Sequence, residues 1–245
     1  MYQTQLFDNR NLAHLNQAAE LITQGEIIAF GFNGIFVFIG DADQEIAARR
    51  IAAAKRQPID KPLALICAPE HLAEFVDLDA PAFRYYAFAT VQQLQREVYG
   101  LGVLLPAGRT GIPPYMTHNG TVLNVWIEYP PHHPGRYLQQ QIRKRGKRAF
   151  IGSSATQHGE PTYVDLLQTL RVFGGAIPAI VDHDLCGVPL QHRQSTTLID
   201  LTGEYPRLMR QGSLPVEELD AHLKRLGLRQ LPSSRKLPRT FEPSL

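Results

Sequence analysis

Short apolar runs alternate with segments of helical period along most of this chain, and that alternation limits the fold more than any single motif does. Runs at 26–30, 35–39, 62–67, 101–105, 121–127, 149–152 and 177–181 have the length and character of buried strands. Two further short strands are expected at 196–201 and 206–210. Leu12, Leu15, Ala19 and Ile22 recur at helical spacing, and Gly25 closes that segment. Residues 45–54, 80–98, 135–145, 163–172 and 215–226 read as further helices, the last with Pro215 in its first turn. The stretch 107–119 collects glycines, prolines and polar residues and reads as a loop. Strands and helices interleaved in this way pack as an α/β fold, with helices laid on a twisted sheet.

The 245 residues are 44% apolar, enough for one large domain or two small ones without staples. Only Cys67 and Cys186 are present, both in apolar contexts, which argues against a disulfide framework or a cysteine metal cluster. A reducing cytoplasm is the expected location. The first residues lack an apolar signal core, and no run is long enough to span a bilayer. The net charge of +2 is small but unevenly placed. Arg143, Lys144, Arg145, Lys147 and Arg148 crowd together, and Lys224, Arg225, Arg229, Arg235, Lys236 and Arg239 follow Leu223. From Gln230 onward the composition turns to Pro, Ser and Arg, and a mobile tail is expected.

Several chemistries are excluded by spacing. Gly100 and Gly102 begin a G-x-G, but no third glycine follows, and no Walker-type loop exists. Gly152-Ser153-Ser154-Ala155 lacks the second glycine of a nucleophile elbow. Adjacent His132 and His133 would point to opposite faces of an extended segment and cannot share a metal. Asp182-His183-Asp184 lacks ligand spacing and reads as a turn after a strand. No metal site is expected.

What remains is a set of polar and cationic loops at apparent strand ends. They are GFNG at 31–34, the stretch from Lys55 to Lys61, SSATQHGEP at 153–161, STT at 195–197, and Arg207 with Arg210. Hydroxyls, free amides and fixed cations together suit a phosphate or carboxylate ligand.

The segment AKRQPIDKPLALIC at 54–67 resembles the AKxRPxDKPL segment of the YrdC-like threonylcarbamoyl-AMP synthases. SSATQHGEP resembles their TSANxSGEP, and TTLIDLTGEYPRLMRQG resembles their STVVDLTGxxPRILRQG. The resemblance covers about residues 12–220. It implies a twisted mixed sheet with helices around a large, positively lined concave cavity, with residues 1–213 as the YrdC-like domain and 214–245 as a C-terminal helix and basic tail. It also implies a reaction: threonine and bicarbonate are joined, the carbamate is adenylated with ATP, and pyrophosphate is released. The product serves threonylcarbamoyl modification of tRNA. Carried over by position, Lys55 and Ser154 would be the catalytic contacts, and Lys55, Lys61, Thr196, Thr197 and Arg210 would hold the nucleotide. Asn33, Gly34, Gln57 and Thr156 would face the substrate. ATP or AMP, threonine or another small amino acid, and Mg2+ accompanying ATP are the implied ligands.

This chain also departs from the pattern. Gln57 stands where the family's K-x-R has arginine, and Thr156 where its S-x-N has asparagine. Asn33 and Gly34 replace an acid and a threonine, and Glu128 or Tyr129 falls where the family has a substrate-facing arginine. In these respects the chain is similar to the YciO-like branch. The departures support a second reading, a catalytically degenerate protein that binds a nucleotide or double-stranded RNA. The basic segment 135–148 and the basic tail would then meet phosphodiester backbones.

Overall fold

Eleven strands form one sheet in the computed structural model, which describes residues 2–32, 34–108, 110–126, 133–182 and 193–231. Strand Gln5–Asp8 (β1) leads to helix Leu12–Thr23 (α1), whose first turn is capped by the Asn11 side chain accepting from Ala13 N. Ile28–Phe32 (β2) and Ile35–Asp41 (β3) are fully buried strands of a hairpin, and Gly34 at the turn takes a φ of 85°. Helix Glu45–Lys55 (α2) and strand Ala64–Ile66 (β4) follow. Then come Phe88–Glu97 (α3), Leu101–Pro106 (β5), Thr117–His118 (β6) and Val122–Trp126 (β7). Pro134–Lys144 (α4), Phe150–Ser154 (β8), Leu166–Phe173 (α5) and Ala179–Asp182 (β9) make up the next part. Thr197–Asp200 (β10), Arg207–Arg210 (β11) and Val216–Arg225 (α6) close it. Among the described residues, no helix is long and apolar enough to cross a membrane.

The strands run in the order β1-β9-β2-β3-β8-β4-β7-β5-β10-β11, with β6 pairing β7. The sheet is mixed: β9 lies parallel to β1 and β2, and β10 parallel to β5, while β8 is antiparallel to both β3 and β4. Each face buries its own core. One face carries Phe36, Phe38, Leu65, Val103, Val125, Ile151 and Ile199, against α2, α3, α5 and α6. The other carries Ile28, Phe30, Phe32, Val37, Ile66, Phe150 and Trp126, against α1 and α4. Helices on both faces follow from strands that are apolar on both sides along most of their length.

This second face is concave. Phe32 on β2 and Trp126 on β7 are separated by β3, β8 and β4, so a flat sheet would hold them about 19 Å apart at ~4.8 Å per strand. Their rings instead lie 5.6 Å apart, nearly parallel. Strong coiling of the sheet brings them together. The core of that face ends at Trp126: Gly102, Leu104, Leu198 and Asp200 continue the face beyond it and belong to neither cluster.

Three expectations need correction. The helix at 80–98 is two elements, a 3-10 turn at Pro81–Arg84 and α3, because Ala87 is extended and Tyr86 turns fully into the core. The loop at 107–119 contains a 3-10 turn, Pro114–Met116, and the short β6. Strand β1 was not expected, since only Phe7 of its four residues is buried and no period is visible.

Candidate functional site

Helix α2 ends at Lys55, and Arg56 caps it in the left-handed region at φ 54°. That cap reverses the chain, leaving Arg56 exposed and Gln57 buried. Lys55 is itself buried, 4% exposed, and reaches the end of β8. Its Nζ donates to Ser154 O, to Ser154 Oγ at 3.2 Å and to Thr156 O at 2.7 Å. His158 N returns a bond to Lys55 O at 3.0 Å, so the loop after β8 is wrapped around this one side chain. Burial, with repulsion from Lys61, pulls the Lys55 pKa from 10.5 to about 7. Three acceptors around Nζ suit an ammonium and oppose that pull.

The neighbouring residues complete a polar corner. Thr156 is buried, and its Oγ1 accepts from Tyr163 N at 3.2 Å. Gln57 Oε1 is buried and finds no hydrogen-bond partner. Lys61, half-buried with its pKa lowered by burial, places Nζ 3.5 Å from His158 Nδ1 at the mouth of this corner. Ser154 pairs in register with Val37, so its side chain lies on the concave face.

A second group lies across that face. Arg210 pairs in register with Leu198 and packs its guanidinium on Thr196: Nε and Nη2 donate to Thr196 O at 3.1 and 3.0 Å, and Nη2 to Thr196 Oγ1 at 3.3 Å. Burial lowers the Arg210 pKa. Thr197 points the other way. Its Oγ1 donates to Leu214 O at 2.7 Å and accepts from Gly212 N and Leu214 N. Its hydroxyl is thus committed to the chain that follows β11. Gly34 sits in the β2–β3 turn, whereas Asn33, Glu128 and Tyr129 lie outside the described residues.

The two groups are not at one set of strand ends. Register carries Ser154 to the start of β4 and the end of β5, whereas Thr197 pairs with Leu101 at the start of β5. What unites Ser154, Thr196 and Arg210 is the face, and Arg193 Nη1 ties the strand-like approach to Thr196 to the loop after Thr156 by donating to Val164 O at 2.7 Å. Sequence reasoning missed the residues between the groups, Tyr99, Asn124 and Trp126. The signal for Asn124 was a lone carboxamide inside a buried strand. Among the described residues, no three His, Cys, Asp or Glu side chains converge as metal ligands.

The Sua5/YciO/YrdC family model, which carries the description "Telomere recombination", matches residues 20–212. The chain belongs to this family. Two similar proteins are threonylcarbamoyl-AMP synthases. That of Pyrococcus abyssi is 27% identical over 203 residues, 83% of this chain and 55% of its own length; that of Bacillus subtilis is 25% identical over 213 residues, 86% and 57%. The chain thus spans little more than half the length of these relatives. Among solved structures, P. abyssi Sua5 complexed with L-threonine superposes with a TM-score of 0.73 at 24% identity, covering 94% of this chain and 63% of that one. E. coli YciO superposes at 0.70 with 18% identity, covering 88% of this chain and 98% of its own. The Sua5/YciO/YrdC fold accounts for the mixed sheet and the concave face described above.

Proposed function

We propose that this chain binds ATP on the concave face and adenylates the carbamate of a small amino acid, threonine by family, to give threonylcarbamoyl-AMP for tRNA modification. In that step a carbamate oxygen bonds to the α-phosphorus, the bond to the bridging oxygen breaks, and pyrophosphate leaves. Magnesium enters as part of the MgATP substrate. The observation that carries the reading is the Lys55 clamp on Ser154 and Thr156, which joins two separate family motifs through hydrogen bonds. Lys55 and Lys61 supply positive charge for the phosphates, and a desolvated cation acts more strongly on developing charge than an exposed one. Ser154 Oγ fixes the ligand beside Lys55. Thr196 and Arg210 brace the nucleotide from the far side, and Thr197 holds their turn. Positioning of two bound reactants is then the main source of rate.

The test is pyrophosphate release with ATP, threonine and bicarbonate. Release above the level of a Lys55→Ala variant is expected, and its absence would end the enzyme reading. A second reading, a nucleotide binder without turnover, is favoured by Gln57, which places an unpartnered carbonyl oxygen where the family pattern has a cation. An ATP-induced rise in melting temperature without pyrophosphate release would select it. Converting Gln57→Arg together with Thr156→Asn should then raise release by roughly a hundredfold, the effect of restoring a cation at a phosphate site. No gain from the double variant would place the block elsewhere.

A further inference from the structure

Where the chain leaves α6, two exposed tyrosine rings clasp one arginine. The Arg229 guanidinium carbon lies 5.1 Å from the centre of the Tyr85 ring and 4.6 Å from that of Tyr205. Arg229 Nη1 donates to Glu204 Oε1 at 2.5 Å and to Glu204 O at 3.3 Å. Both rings keep much of their surface in water, Tyr85 being 44% and Tyr205 53% exposed. Two aromatic faces with a carboxylate between them suit a planar, delocalised cation. A lysine ammonium is compact and strongly hydrated and cannot stack on two rings in this way.

The walls of this cage are built without Arg229. Glu204 and Tyr205 belong to the β10–β11 turn, and Asp200 at its base accepts from Thr202 N at 2.7 Å, from Thr202 Oγ1 at 2.6 Å and from Arg207. Tyr85 follows the 3-10 turn Pro81–Arg84, its N donating to Ala82 O at 3.0 Å, and the next residue, Tyr86, is anchored in the core. Arg229 arrives from elsewhere. Gly227, at φ 67°, turns the chain out of α6, and Leu231 N donates to Asp220 Oδ1 at 3.0 Å. The receptor is therefore fixed by its own turns, and a separate segment brings the occupant.

The resident arginine leaves one neighbour unused. Tyr86 Oη is buried without a hydrogen-bond partner. Burial pushes the Tyr86 pKa up to about 12, and the charges that reach it are those of Arg229, Asp200, Glu204 and Tyr205, the groups in and beside the cage. Among the described residues, both hydrogen bonds of Arg229 leave from Nη1, so none reaches this phenol. Buried hydroxyls seldom stay unpaired, and a neutral phenol can accept from an N–H. A guanidinium not tethered at residue 229 can turn a second N–H toward it.

We propose that Tyr85, Tyr205 and Glu204 form a receptor for a guanidinium group, filled here by Arg229 and open to an arginine supplied in trans when the segment at 228–231 lifts away. Two sources carry that chemistry: an arginine within a peptide chain, and a free guanidino compound. The cage borders the core opposite the concave face, so it stands or falls independently of the adenylation reading.

The experiment titrates the full chain calorimetrically with acetyl-arginine amide, and with acetyl-lysine amide as the matched ammonium. The parent, Arg229→Ala, and Arg229→Ala combined with Tyr205→Ala are compared, with melting curves reporting folding. Acetyl-arginine amide is expected to saturate Arg229→Ala at millimolar concentration and to bind the parent about tenfold more weakly, because Arg229 competes. Adding Tyr205→Ala should weaken binding to Arg229→Ala about tenfold, and the lysine amide should bind none of the three. If Arg229→Ala melts below the titration temperature, Arg229→Lys carries the same comparison. An acetylated peptide with the sequence of residues 227–231 separates the sources: binding about tenfold tighter than the amide assigns the receptor to a peptide chain, and equal binding assigns it to a free guanidino compound. The proposal is overturned by no saturable binding to the variant lacking Arg229, by equal binding of the two amides, by equal binding to the parent, or by indifference to Tyr205→Ala.

Discussion

Lys55 is the residue whose environment is most unusual. Its ammonium is buried against two carbonyls and a hydroxyl, and burial lowers its folded pKa to about 7 from an ordinary 10.5. Between those values the unfolded chain holds a proton that the folded chain has released. The ligand-free protein should therefore gain stability as pH rises from about 7 toward 10.5, and should carry the full burden of the buried charge below 7. Urea denaturation of the parent and of Lys55→Met, at pH 6 and pH 9, measures this directly. The parent should gain more stability than the variant between the two pH values; equal gains would show that Lys55 is not the titrating group. An anionic ligand reverses the argument. It restores the proton, so ATP affinity should weaken as pH rises above 7, and binding should take up a proton, seen as a buffer-dependent enthalpy.

At the level of elements, the β10–β11 hairpin shows how tightly the second half of the site is built. Gly212 has no room for a side chain: a Cβ would lie 2.1 Å from Ser195 O and 2.5 Å from Thr196 C. Gly212 N donates to Thr197 Oγ1 at 2.9 Å, and Ser213 N to Ser195 O at 2.9 Å. Gly212→Ala must push the approach to β10 away from the chain after β11. A loss of about 3 kcal/mol is expected, with a smaller ATP-induced shift in melting temperature because Arg210 and Thr196 are displaced. An unchanged urea midpoint would mean that the close approach is absent in solution. This contact was legible only as a motif. The apolar runs foretold most strands, because a buried strand needs an apolar residue at every position, whereas β1 buries one side chain and left no trace. The motifs pointed to Lys55, Ser154, Thr156 and Arg210, but not to the hydrogen bonds that join Lys55 to Ser154 and Thr156, 99 and 101 residues away. Trp126 and Asn124 could not be read as neighbours of a ligand face, because strand order and coiling set that face and neither is local.

Across the whole molecule, the basic cluster that the sequence offered to RNA is largely spent within the fold. Arg136 pairs with Glu70 at 3.3 Å, Arg143 with Glu74 at 3.5 Å, Lys147 with Asp41 at 2.7 Å and Arg148 with Asp43 at 2.5 Å, and Arg148 also stacks over Phe75. These contacts tie both ends of α4 and the approach to β8 to the turn after β3 and to the 3-10 turn at Pro69–Glu74. Exposed pairs of this kind contribute little singly. The Lys147 pair differs, because the Asp41 side chain is fully buried while Lys147 keeps contact with water. Among the described residues, removing Lys147 leaves a buried carboxylate held by Asp43 N and the Gln44 amide. Lys147→Met should therefore cost about 1–3 kcal/mol, below the range for a fully buried pair. It should leave binding to a short RNA duplex unchanged at moderate salt. The opposite pattern, an unaltered urea midpoint with RNA affinity that falls and loses part of its salt dependence, would return these cations to a nucleic-acid surface. The two outcomes separate because one Lys147 ammonium cannot neutralise a phosphate while it remains 2.7 Å from Asp41.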